Sequence, residues 1–394
     1  MIMFYPRKIY TDLKDHASQK QVTIITGLRR TGKTTLIKQL LIDVYSENSI
    51  YIDLERLDNR SLFQTPNYDN IILALKQRGL NFNKRCIIAL DEGQLVKELP
   101  SVIKYLYDSY DIKFIVTGSS SYYLKNLFSE SLAGRKKIFD LYPLDFGEFL
   151  TFKSVPWIEI DFINPIFDLN EFNRLRGFYD EFIQFGGLPE VVLTGKDNFK
   201  TDLLEDIISS YINIDIRWLS DFRNAENIRN LLVMLASRIG TKLDTTKISA
   251  LTGLSIPTVA NYIELFEQTY LIHRVTVVSK NRDREIVKAR KLFFSDNGIV
   301  NILARVSSGS LFENVVFNQL KQKGTINYYS LKNGREIDFI FNNSIALEVK
   351  ETATLTDQKQ VEKLASKLDI NQSYLISRYP AHNFTGSIWG GTIK

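Results

Sequence analysis

The sequence predicts an α/β protein: a parallel-sheet core, a helical section, a winged helix-turn-helix, and a second α/β unit at the C-terminal end. Three observations carry that reading. Residues 22–41 run strand, glycine-rich loop, helix. Short apolar strands then alternate with helical segments up to about Leu144, and polar residues gather at their C-terminal ends. Beyond that point helical periodicity takes over, until strands return in the last ninety or so residues.

The opening strand is Val22 to Thr26, and it runs into Gly27-Leu28-Arg29-Arg30-Thr31-Gly32-Lys33-Thr34, a complete G-x-x-x-x-G-K-[ST] phosphate-binding loop. Gly27 and Gly32 permit backbone angles that let consecutive N–H groups face phosphate oxygens. The helix that begins near Thr35 adds the positive end of its dipole. In this pattern Lys33 reaches the β- and γ-phosphates and the Thr34 hydroxyl is a magnesium ligand, so the expected ligands are ATP and magnesium. Arg29 and Arg30 are expected to support the loop or contact a partner, because the backbone amides already surround the phosphates.

Further strands are expected at Ser49 to Leu54, Arg85 to Leu90, Lys113 to Thr117 and Lys137 to Leu141. The apolar strand at 85–90 ends in Asp91-Glu92. Asp91 is expected to hold magnesium, and Glu92 to orient or deprotonate the attacking water. Thr117 or Ser119, at the neighbouring strand's tip, is a candidate γ-phosphate sensor. Arg135 is a candidate for the arginine that offsets transition-state charge, in its own subunit or from a neighbour; the second case leaves a homo-oligomer open.

Phe172, Leu175, Tyr179 and Phe182 keep one helical face, and Leu203, Leu204, Ile207, Ile208 and Tyr211 keep another. Thr245 to Leu251, the turn Thr252-Gly253-Leu254, a helix from Ser255 to about Leu271 and strands at Arg274 to Val278 and Lys291 to Phe294 spell a winged helix-turn-helix. Its second helix is acidic rather than basic, with Glu264 and Glu267. The positive charge lies in the wing: Lys280, Arg282, Arg284, Lys288, Arg290 and Lys291. DNA is therefore the expected partner through the wing, with a protein-binding winged helix as the alternative.

Composition limits the remaining classes. The chain has 394 residues, 44% hydrophobic and 24% charged, with a net charge of +5, which permits an anionic partner without demanding one. A single cysteine excludes an intramolecular disulfide framework, and with three histidines it makes no zinc motif. No apolar run has membrane-spanning length and the N-terminal stretch lacks a signal-peptide core, so the expected setting is cytoplasmic, away from membranes.

Taken in order, Val22 to Thr35, Asp91-Glu92-Gly93-Gln94, Thr117-Gly118-Ser119-Ser120, Leu132 to Arg135 with Tyr142-Pro143-Leu144, and Gly186 to Glu190 resemble the widespread archaeal and bacterial AAA-type ATPases that carry a C-terminal domain of unknown function. The resemblance implies an AAA-like P-loop core (1–145), a helical lid (146–235), a winged helix (236–305) and a restriction-endonuclease-like end (306–394). In that end, Glu336-Ile337-Asp338 and Glu348-Val349-Lys350 resemble the PD-(D/E)xK nuclease pattern, with Ile337 where the proline belongs.

Strand alternation puts Glu336 and Asp338 on one face, and Glu348 and Lys350 likewise. A three-residue turn at Asn342 to Ser344 sets Asp338 opposite Glu348, about 5 Å apart, able to share a divalent cation. Lys350 then positions water or offsets charge, and Glu313 completes the site. The competing reading is a cation-free ion-pair patch on a fold kept for binding. Two functions follow: an ATPase that binds DNA and couples turnover to remodelling or cleavage, or a nucleotide-controlled signalling or defence switch that binds protein and cuts nothing.

Overall fold

Strand β1 (Val22–Thr26) is buried along its whole length because both of its faces are covered. Val22 and Ile24 enter one apolar cluster and Ile25 enters another. Such burial on both sides is the signature of a parallel sheet with helices on each face. The computed structural model describes residues 4–44, 48–119, 132–163, 167–216, 225–279, 289–331 and 333–394. These fall into two units, Met1–Tyr142 with Gln268–Tyr270, and Pro143–Glu267 with Leu271–Lys394.

The first unit holds β1, β2 (Ser49–Asp53), β3 (Cys86–Asp91), β4 (Ile112–Gly118) and β5 (Lys136–Asp140), all parallel, in the order β2-β3-β4-β1-β5. α1 (Tyr10–Ala17) and α2 (Lys33–Val44) cover one face through Leu13, Leu36, Ile37 and Leu40. α3 (Leu57–Phe63), α4 (Tyr68–Gln77) and α5 (Leu99–Ser109) cover the other through Phe63, Leu75, Val102 and Leu106. The strand ends are level: Thr26 lies beside Gly118 and Asp140, and Leu90 beside Val116. The loop after β1 and the carboxylates ending β3 therefore share one edge, separated by the width of β4.

The second unit begins with α6 (Phe146–Phe152), started by a capping box between Asp145 and Glu148. α7 (Leu169–Phe185) follows and stops at Gly186, whose φ is +77°. A Cβ there would lie 2.2 Å from the Asp296 carboxylate, which accepts a hydrogen bond from Gly187 N at 2.7 Å. The glycine pair is thus a structural necessity. α8 (Pro189–Leu193), α9 (Asp197–Ser210) and α10 (Ala225–Ala236) complete the helical section.

A helix-turn-helix comes next: α11 (Thr245–Thr252), Gly253 at φ +70°, and α12 (Ile256–Gln268). The Ser255 hydroxyl accepts from Thr258 N, as expected of an N-cap. β6 (Ile272–Val275) and β7 (Lys291–Phe294) pair antiparallel; β6 begins two residues earlier than the sequence pattern indicated. α13 (Asn297–Leu303) and α14 (Ser308–Lys321) lead into a sheet of β8 (Ile326–Ser330), β9 (Glu336–Phe341), β10 (Ile345–Thr352), β11 (Gln372–Tyr379) and β12 (Ser387–Trp389), in the order β12-β11-β10-β9-β8. α15 (Leu355–Ala365) packs Val361 and Leu364 onto it. The four sequence segments are thus distributed over two spatial units: the helical section, the helix-turn-helix and this sheet lie in one.

Candidate functional site

Gly27 is required by contact: a Cβ there would sit 2.1 Å from the Leu141 carbonyl oxygen. Gly32 adopts φ +94°, and Arg30 holds φ +66° between them. Leu28 and Thr31 are buried, and the Thr31 hydroxyl donates to the Leu28 carbonyl at 2.8 Å, tying the loop to itself. Lys33, in the first turn of α2, donates to the carbonyls of Gly27 (3.0 Å) and Leu28 (2.9 Å). Thr34 stands at the mouth and Thr35 is exposed beside it. Arg7 braces the loop from outside, donating to the carbonyls of Thr31 and Tyr142 at 2.9 and 2.8 Å. A lone arginine in a polar lead-in has no sequence signal that would assign it this role.

Asp91 receives three hydroxyls: Thr34 and Tyr51, each 2.7 Å from Oδ2, and Thr117 at Oδ1. Thr117 also accepts from Glu92 N at 3.2 Å, so its hydroxyl is engaged in fixing β3. Thr117 and Ser119, the two candidate phosphate sensors, both lie at this edge, Thr117 against Asp91 and Ser119 against Gln94. Glu92 sits in the left-handed region, at φ 57° and ψ 48°, a strained backbone for a glutamate and one of the kinds that cluster at functional sites. Gln94 donates to the Glu92 carboxylate and, at 3.1 Å, to Ser119 Oγ. Beside them Glu55 is pushed above the usual carboxylate range by burial and by the charge of Glu92, and Arg29 lies 3.9 Å from it. Arg29 therefore faces the acidic edge of the sheet.

Magnesium fits this edge by donor chemistry. The Thr34 hydroxyl and the Asp91 carboxylate are hard oxygen donors lying against each other at the end of the phosphate loop.

Arg135 is placed otherwise than expected. Its carbonyl accepts from Val22 N and its side chain pairs with Asp108, with Nε 3.1 Å from the carboxylate. It therefore lies at the start of β1, the end of the sheet opposite the loop. An arginine for its own subunit's phosphates is excluded by that position.

In the second unit the hairpin register is the expected one: Phe341 pairs with Ile345 and Phe339 with Leu347 across a turn at 342–344. Asp338 Oδ2 accepts from Val349 N at 2.9 Å, and Glu348 accepts from Lys350 Nζ at 2.6 Å. The charge balance differs from expectation. Lys291, almost wholly buried, lies 2.8 Å from Glu336, 3.4 Å from Glu313 and 3.5 Å from Asp338. Lys242 adds a second ammonium 3.5 Å from Glu336. Burial alone would lower the Lys291 pKa, but Glu313, Asp338 and Glu336 raise it. Glu313 and Glu348 are themselves raised, by burial first and then by Asp338.

Each of these carboxylates therefore has a lysine beside it, and among the described residues no group of three or more His, Cys, Asp or Glu is arranged to hold a metal ion. Asp338 and Glu348 keep the expected register, and the ammonium groups beside them are those of Lys291 and Lys350. The inclusion of Lys291 in the wing is corrected by its burial. A lysine opening an otherwise apolar four-residue strand was the signal that could have shown it. Arg290 is exposed, while Lys280, Arg282, Arg284 and Lys288 lie outside the described residues.

The parallel sheet, the glycine loop and the Thr34–Asp91 contact define the first unit as a P-loop ATPase domain. Residues 19–150 match the family described as AAA domain, and residues 176–310 and 308–385 each match a different domain of unknown function. An uncharacterized protein of Methanocaldococcus jannaschii is 28% identical over 382 residues, covering 92% of this chain and 83% of its own. One from Haemophilus influenzae is 24% identical over 356 residues, covering 85% of each. Among solved structures, the Walker-type ATPase of Pyrococcus abyssi is 15% identical with a TM-score of 0.48, over 76% of this chain and 96% of that one. Among the described residues no helix is long and apolar enough to cross a membrane.

Proposed function

We propose that this chain is a magnesium-dependent ATPase that uses turnover to control how its second unit engages DNA, and that it does not cut the DNA. The observation that carries the ATPase is the convergence of the Thr34, Tyr51 and Thr117 hydroxyls on Asp91, next to a glutamate in a left-handed conformation. Thr34 and Asp91 would hold magnesium, which would offset the charge of the phosphates. Lys33 balances the β- and γ-phosphates. Glu92 accepts the proton of the attacking water, with Gln94 and Ser119 fixing where that carboxylate points.

DNA engagement rests on the basic composition of 280–290 and on the exposure of Arg290. The buried Lys291 favours binding over cleavage, since a resident ammonium already serves the carboxylates. A switch that binds protein instead remains the rival reading. The test is the ATPase rate with and without duplex, junction and single-stranded DNA across a salt series. Stimulation that weakens steeply with salt supports the DNA reading; an unchanged rate at every salt concentration overturns it in favour of the switch.

A further inference from the structure

We infer that Arg29, inside the phosphate loop, is the arginine that offsets the charge of the transition state in its own chain. The role rests on the ATPase reading. Other arginines of the first unit are placed elsewhere: Arg135 pairs with Asp108 at the far end of the sheet, and Arg7 is held by the carbonyls of Thr31 and Tyr142. Arg30 is exposed.

Arg29 springs from the loop that follows β1, and Glu55 from the segment that follows β2. In the order β2-β3-β4-β1 those two strands are three spacings apart, roughly 14 Å. Yet Arg29 Nη2 lies 3.9 Å from Glu55 Oε1. Side chains rooted that far apart meet only by reaching inward, so the pair lies over the ends of β4 and β3. At those ends stand Thr117 and Ser119, and Asp91 and Glu92.

The electrostatics agree. Glu55 is raised by burial and then by the charge of Glu92, while Arg29 lowers it, so the three groups lie within Coulombic reach of one another. Stability does not account for the arginine. The Glu55 side chain is 59% exposed, and an ion pair screened by solvent contributes little.

The chemistry calls for a cation at this point. The water oxygen bonds to the γ-phosphorus as its proton passes to Glu92. The bond from that phosphorus to the β–γ bridging oxygen breaks, and its electron pair leaves with ADP on that oxygen. Negative charge therefore grows on the bridging oxygen and spreads over the γ-oxygens. Lys33 meets it from the first turn of α2, and Arg29 meets it from the side of Glu92. A guanidinium offers two parallel N–H bonds to phosphate oxygens, which an ammonium does not.

The test measures turnover, and affinity for ATPγS and for ADP with aluminium fluoride, a mimic of the phosphoryl group in transfer. Arg29→Ala is expected to lower kcat by at least about a hundredfold, since arginines in this role contribute about 10³–10⁵-fold. Its loss of affinity for the aluminium fluoride complex is expected to exceed its loss for ATPγS by at least about tenfold, which a merely structural arginine would not produce. Arg29→Lys is expected to recover only part of the rate. A smaller fall in kcat, or a smaller difference between the two ligands, overturns the inference. If the parent hydrolyses ATP and Arg29→Ala does so equally, the ATPase reading stands and the role of Arg29 falls; a parent without turnover removes both. Mixing Arg29→Ala with Lys33→Ala chains is expected to restore no turnover, and restoration would overturn action within its own chain.

Discussion

Thr34 Oγ1 donates to Asp91 Oδ2 at 2.7 Å, joining the first turn of α2 to the last residue of β3 over the end of β4. The two residues belong to strand–helix units that are not neighbours in the sheet, and Thr117 of the intervening strand completes the contact. The ATPase predictions come from this junction.

Lys33→Ala is expected to lose tight ATP binding, because the ammonium facing the phosphates is gone. Glu92→Gln is expected to bind ATP normally and to hydrolyse it about 10²–10⁴-fold more slowly, the range for losing a positioned general base. Nucleotide binding by fluorescence and phosphate release by a coupled assay separate the two. Wild-type turnover in Glu92→Gln would falsify the assignment of the base.

Thr117→Val preserves shape but removes the hydroxyl that donates to Asp91 and accepts from Glu92 N. Asp91 then has only Thr34 and Tyr51 to hold it. A higher magnesium requirement and a fall in turnover of about tenfold, roughly 1.4 kcal/mol, are expected. An unchanged magnesium titration would show that Asp91 is fixed without it.

Lys291→Met leaves Glu313, Glu336 and Asp338 without their buried cation. Breaking a buried pair in this way typically costs about 3–5 kcal/mol. The sign of the pH dependence follows. Glu313, already raised by burial, then loses the Lys291 charge that lowers it, so the variant binds more protons folded than unfolded and its stability falls as pH rises. Urea unfolding at pH 5 and pH 8 checks both, and a variant equally stable at the two pH values would contradict this account. The parent protein is expected to nick no plasmid in magnesium or manganese.

His273 supplies an acid-sensitive element. Burial, and then the charge of Lys321, lowers its pKa from 6.5 to about 3, and Ser295 Oγ lies 3.1 Å from Nε2. The unfolded chain binds the proton first, so this residue's contribution is intact above pH 6.5. It is lost at about 1.4 kcal/mol per pH unit as the pH falls towards 3. Between pH 7 and 5 the parent is expected to lose about 2 kcal/mol more than His273→Gln, as read from urea midpoints. Parallel losses would remove His273 from the acid response.

Replacing Arg282, Arg284 and Lys288 together by alanine is expected to weaken DNA binding alike for all sequences and to flatten the salt slope by about 2–3 units. Filter binding from low to high salt measures it. An unaltered slope would take this segment out of the interface.

Local chemistry made much of this legible in the chain. The phosphate loop, the Asp91-Glu92 pair and the alternating strands depend on residue type and on spacing within single segments, and they appear where the pattern put them. The register of β9 against β10 was readable for the same reason: a three-residue turn fixes which residues face each other. Other features depended on which distant segments meet. Arg135 precedes a strand, β5, whose parallel pairing with β1 sets it at the opposite end of the sheet from the loop, and pairing direction is not written in a short apolar run. Lys291 lies in sequence beside a basic run, yet β7 delivers it among carboxylates from α14 and β9, so its role turned on burial rather than composition. Asp91's three hydroxyl donors come from α2, β2 and β4, and the strand order alone brings them together. Sequence determined what each segment is, because secondary-structure periodicity and loop chemistry are short-range. Tertiary structure decided which charges are neutralised, because Coulombic and hydrogen-bond partners are chosen by proximity in space.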